Sequence, residues 1–135
     1  MEPKSDDDKN NKRYQSGLKK IKEVYGDTWD VNFLDDLSPE MNDYTVEFLY
    51  GDVYNTDKLD ARSREISIIS ILITLRANTP LSIHMHGALN VGLTRKELIE
   101  VIVQTSIYAG FPAAVNAMDI AREVFRERDQ KGKRN

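Results

Sequence analysis

Residues 65–75, EISIISILITL, decide the fold. Their isoleucines favour a strand by propensity, while the length of the apolar run favours a buried helix. The flanking sequence resolves the ambiguity. Downstream, in TRKE (94–97), Thr94 and Glu97 stand as N-cap and third helical residue of a capping box, ahead of LIEVIVQTSIYAG (98–110), which closes on Gly110. FPAAVNAMDIAREVFRER (111–128) then places Pro112 near the start of a last helix rich in the good helix formers Ala113, Ala114, Ala117 and Ala121. Upstream, SPEMNDYTVEFLYGDVY (38–54) opens with Ser38 as N-cap, Pro39 at the first helical position and Glu40 near the positive end of the dipole, predicting a helix to about Leu49 or a little beyond. Tyr14, Leu18, Ile21 and Tyr25 fall on one helical face that stops at Gly26. No hairpin signal joins two runs and no strand–helix alternation recurs. The expected fold is all-α, a compact single-domain bundle of about six helices.

A chain of 135 residues, 40% hydrophobic and 30% charged, suits one ordinary soluble domain. We expect that domain at 13–127, between a polar tail at 1–12 and a charged tail at 128–135, with fraying in ERDQKGKRN (127–135). A net charge of -3 offers no overall attraction to nucleic acid or an anionic membrane. No run approaches the roughly 18 apolar residues of a membrane span, and MEPKSDDDKNNKR is polar and acidic where a signal peptide has an apolar centre, so a cytoplasmic protein is expected. The chain has no cysteine, which excludes disulfides, thiolate metal sites, cysteine nucleophiles and dithiol redox couples. Helices at 65–77 and 95–109 are apolar over more than one face. Either they assemble with other copies or both lie at the centre of a monomeric bundle; the first is expected.

The only two histidines lie in SIHMHGALNVGLTRKE (82–97). On a helix His84 and His86 point about 200° apart and cannot share a metal ion; on a strand they would share a face, but the flanking signals oppose a strand. No metal site is expected. His84 shares a stripe with Leu81, Ala88 and Val91 and is expected to face inward, whereas His86 lies near Asn90 and is expected to face outward or into an interface. An inward histidine is commonly just a core residue bonded to a carbonyl. Its company argues for more. Glu65 shares a stripe with Ile69, Leu72 and Arg76, and buried charges need partners. Glu65 and Arg76 lie about 16 Å apart along a helix, so each must find something else, with His84 or a bound anion as candidates. Arg76 can equally complement a helix C-terminus. Tyr108 offers a hydroxyl and Asn116 an amide in YAGFPAAVNAM, although Tyr108 can equally be an amphipathic residue at the core edge. GxGxxG, phosphate-loop, HExxH and GxSxG patterns are missing, so nucleotide cofactors and serine hydrolysis have no support.

Together, HMHGALNVGLT (84–94) and YAGFPAAVNA (108–117), within the stretch from RYQSGLKKIKEVYGD onward, resemble the carboxymuconolactone decarboxylase family over nearly the whole chain. The resemblance implies an all-helical fold assembling as a homohexamer. In the family's alkylhydroperoxidase-like branch a CxxC pair just ahead of the family histidine carries redox chemistry, with a glutamate one helix upstream in a proton relay. The histidine matches His84 and the glutamate Glu65, but Ala77 and Pro80 stand where the cysteines would be. Thiol peroxidase chemistry is therefore not expected.

The other branch converts 4-carboxymuconolactone to 3-oxoadipate enol-lactone and CO2 without metal or organic cofactor. The resemblance then implies His84 as the acid, Glu65 as its orienting carboxylate, Arg76, Arg62 or Arg64 as holder of a substrate carboxylate, and Tyr108 or Asn116 as an enolate donor, supplied within the chain or across a subunit boundary. A related lactone or keto-acid reaction fits the same residues. The alternative is a non-catalytic, oligomeric small-molecule-binding protein that kept the fold, with peroxidase a distant third.

Overall fold

A computed structural model describes residues 11–133, and every element among them is helical or a turn. Its contacts divide the chain into two compact units, Met1–Leu59 and Asp60–Asn135. The expected tail at 1–12 lies largely outside the described residues.

In the first unit, α1 (Lys12–Tyr25) starts where the Asn11 side chain accepts the Tyr14 N–H and stops at Gly26, whose φ of 57° suits glycine. α2 (Pro39–Tyr44) begins at Ser38, which caps the Met41 N–H, and passes directly into a π-helix, Thr45–Val53. The predicted helix is therefore present and longer, but its second half is wound wider than an α-helix. α1 crosses the π segment at backbone contact: a Cβ on Gly17 would stand 1.9 Å from the Val46 carbonyl oxygen, and one on Gly51 would stand 2.4 Å from that of Arg13. Only glycine fits at either place. Arg13 fixes the crossing with a forked ion pair to Asp52, its Nη2 at 2.6 Å from Oδ2, and Tyr25, Trp29, Tyr50 and Tyr54 fill the space behind it.

The second unit holds α3 (Ala61–Leu75), α4 (Asn78–Asn90), α5 (Arg95–Ala109) and α6 (Phe111–Gln130). α3 starts four residues before the apolar run, because the Asp60 carboxylate accepts the Ser63 N–H and sets the N-terminus there. It ends at Arg76, where Arg76 N–H bonds to the Ile73 carbonyl and Ala77 N–H to that of Leu72. Such a stop uses a left-handed residue, usually glycine, and Arg76 adopts it at φ 54°. The capping box at Thr94 and Glu97 is fully formed. The core joins Ile69 and Ile73 of α3, Leu81, Met85 and Leu89 of α4, Leu98 and Ile102 of α5, and the small-residue face of α6. Each large apolar side chain so buried contributes about 1.5–3 kcal/mol. Ala113, Ala117 and Ala121, spaced by four, allow α6 to lie close to α4 and α5. α6 also runs past the expected start of fraying, and Arg128 is buried rather than solvated. Its hydrogen bond to Asn90 Oδ1 explains why the charged end of the chain stays helical through Gln130.

Candidate active site

The two helices flanking the Arg76 stop bring Glu65 and His84 together. Glu65 lies in the second turn of α3 and is fully buried; His84 lies in the middle of α4 with a side chain 14% exposed. His84 Nδ1 is 3.0 Å from Glu65 Oε2, so the imidazole donates Nδ1–H to the carboxylate. That bond fixes the ring's orientation. A buried carboxylate is costly unless a cation or strong donor answers it, and this imidazole does so.

The other expected site residues are distributed differently. Arg62, one turn before Glu65, donates from Nη2 to Glu97 Oε1 and so links the first turns of α3 and α5. Glu97 Oε2 meanwhile accepts the Thr94 N–H. Held chiefly by Arg62 and then by the cap, the Glu97 carboxyl is lowered to about 2. The pair edges a groove of ≈ 370 Å³ lined further by Ile66, Ser70, Val101 and Gln104. Arg64 is half-buried next to Glu65 in sequence. Arg76 is exposed and, as the left-handed stop of α3, leaves the helical stripe on which it was expected to face the core. Asn116 donates to Asn78 Oδ1 at 2.7 Å, joining α6 to α4, and Tyr108 stands 84% exposed.

His86 is a correction. Expected to face outward or into an interface, it is 5% exposed within the chain itself, and its Nε2–H donates to Glu127 Oε2 at 2.9 Å. The outward expectation took α4 to have one buried face, whereas Met85, His86, Gly87, Ala88 and Leu89 are all buried. With α3 on one side and α6 on another, the second half of α4 has no solvent face for residue 86. Its partner Glu127 was missed because 41 residues separate them and no local pattern couples them. The two histidines do point to different helices, as their spacing required. Among the described residues no three His, Cys, Asp or Glu side chains cluster to hold a metal ion, and no helix is long and apolar enough to cross a membrane.

Taken together, these features define an all-helical protein with a buried glutamate–histidine dyad between two consecutive helices and no cysteine beside it. The chain belongs to the carboxymuconolactone decarboxylase family, whose pattern matches residues 39–123. It is 32% identical over 118 residues to 4-carboxymuconolactone decarboxylase of Acinetobacter baylyi, covering 85% of this chain and 88% of that one. It is 25% identical over 131 residues to a nitrosuccinic acid decarboxylase of Metarhizium robertsii, covering 95% and 92%. A third relative, an uncharacterized protein of Paracoccus denitrificans, is 31% identical over 105 residues, covering 76% and 78%.

Proposed function

We propose that this protein is a cofactor-free carbon–carbon lyase acting on 4-carboxymuconolactone or a closely related lactone or keto acid. The observation that carries the proposal is the Glu65–His84 pair, in which Nδ1 stands 3.0 Å from a fully buried carboxylate at the junction of two consecutive helices. The two relatives named as decarboxylases support it.

The substrate is its own electron sink. When the C–CO2 bond breaks, the electron pair stays on the ring and delocalises through the ring double bond to the lactone carbonyl oxygen. His84, as imidazolium, delivers its Nε2 proton to ring carbon, forming the C–H bond of 3-oxoadipate enol-lactone, and is reprotonated from solvent. Glu65 keeps the imidazole in the donating orientation and balances its charge while the proton is present. Arg62 and Arg64, three and one residues before Glu65 on α3, are proposed ahead of Arg76, the cap that ends α3 eleven residues beyond Glu65, to hold a substrate carboxylate. Tyr108 and Asn116 remain the proposed enolate donors, with exposed Tyr108 acting on a neighbouring copy.

Assembly as a homohexamer is part of this reading. Ile99, Val103 and Ile107 make an exposed apolar stripe along α5, continued by Phe111 at the start of α6, and such a stripe favours burial against further copies. Sedimentation at a single-chain mass of 15.5 kDa would refute the assembly. The activity is tested by adding purified protein to 4-carboxymuconolactone and following CO2 and enol-lactone, with and without chelator. Stoichiometric CO2, unaffected by chelator, is expected. No turnover of this substrate or its lactone and keto-acid analogues would instead favour a non-catalytic binding protein.

A further inference from the structure

α4 is gripped on two faces by two imidazole–carboxylate pairs. His84 reaches Glu65 on α3, and His86 reaches Glu127 on α6. The proposed chemistry uses only the first. In the second, a buried imidazole donates to a carboxylate whose side chain is 44% exposed, so the ring is enclosed while its partner stays in contact with water. The charged surroundings are defined on every side. α6 supplies Glu127 itself and Arg128, which is 3% exposed and donates from Nη1 to Asn90 Oδ1 at 3.0 Å; Lys131 follows just beyond. α5 supplies Arg95, which donates to Asp129 at 2.7 Å and lies 5.0 Å over the Phe125 ring. α3 supplies Glu65, engaged by His84 on the other side of α4.

We propose that His86 and Glu127 form a proton-sensitive clamp that fixes α4 against the end of α6 and thereby holds His84 at its setting toward Glu65. His86 is thus a positioning residue. Only its effect on catalysis rests on the function proposed above. With the ring neutral, one N–H meets one carboxylate oxygen and the imidazole itself carries no charge. Protonation puts a cation into a buried site beside Arg128 and Lys131. Burial is the largest influence and holds the imidazole below its ordinary 6.5, although Glu127 pulls the other way. The folded state therefore binds this proton less readily than the unfolded chain. The clamp's stabilisation is complete above about 6.5 and is lost progressively as pH falls from there through the lower folded value. One proton can weaken the contact by at most about tenfold per pH unit.

The test is amide hydrogen exchange in residues 124–130, corrected for intrinsic rates, between about pH 7 and pH 5, in the full-length protein, His86→Gln and Glu127→Gln. The unaltered protein should lose protection by up to tenfold per pH unit below about 6.5. His86→Gln, whose amide donates from nearly the Nε2 position without titrating, should stay flat. Glu127→Gln removes the group that favours the charged ring and should extend the loss to lower pH. If the protein turns over 4-carboxymuconolactone, kcat should show the same acid loss and His86→Gln should relieve it, with KM unchanged. Flat protection in the unaltered protein, or an identical decline in His86→Gln, would overturn the clamp. Because exchange requires no substrate, that result is distinguishable from failure of the proposed activity.

Discussion

Replacing Glu65 by glutamine separates the charge of the dyad from its geometry. The amide oxygen can still accept Nδ1–H at about the 3.0 Å seen for the carboxylate, so the ring keeps its orientation while losing its counter-charge. A hydrogen bond to a charged group contributes about 1.5–3 kcal/mol, against about 1 kcal/mol for a neutral one. If that difference of about 0.5–2 kcal/mol is realised as the imidazolium forms, kcat should fall roughly 2- to 30-fold. KM should change little, because Glu65 is fully buried and reaches substrate only through His84. Stability should move by less than about 1 kcal/mol, since the variant also sheds the desolvation cost of a buried carboxylate. Glu65→Ala differs: it empties the site, leaves the His84 ring without this acceptor, and should cost about 3 kcal/mol or more. Steady-state assays with 4-carboxymuconolactone and urea denaturation measure both quantities. A Glu65→Gln variant with undiminished kcat would refute the coupling of Glu65 to the acid step.

Gly17→Ala forces a Cβ to within 1.9 Å of a backbone oxygen, so it should lower stability by at least the upper end of the 1–3 kcal/mol typical of overpacking, read by urea denaturation. Thr94→Ala removes the cap of α5 and should cost about 1 kcal/mol in the same measurement. Because the Glu97 carboxyl is lowered to about 2, its contribution is fully present above its ordinary 4.5 and is lost as pH falls toward 2. Glu97→Gln should therefore show a shallower fall in urea midpoint over that acid range than the unaltered protein.

Local signals were legible wherever the responsible residues lie within a turn of the feature they control. Thr94 with Glu97, Ser38 with Pro39, and the stops at Gly26 and Gly110 all act over three or four residues, and each appears where it was expected. α3 starts four residues ahead of the apolar run because its N-terminus is set by the Asp60 cap and not by the first apolar residue. The π winding at Thr45–Val53 has no counterpart in a pattern read at 3.6 residues per turn. Partnerships of charged residues were partly legible. A buried Glu65 demanded a partner and the family resemblance pointed to His84, yet the engagement of Arg62 by Glu97 depends on how α3 and α5 pack. Arg76 misled because its stripe assumed an unbroken helix, and the backbone turns left-handed at that residue.

The central claim is that His84 protonates the decarboxylated substrate, and initial rates of 4-carboxymuconolactone consumption by the unaltered protein and by folded His84→Ala test it most directly. Loss of a positioned general acid should lower turnover by roughly 10²- to 10⁴-fold. Equal rates in the two proteins would contradict the account.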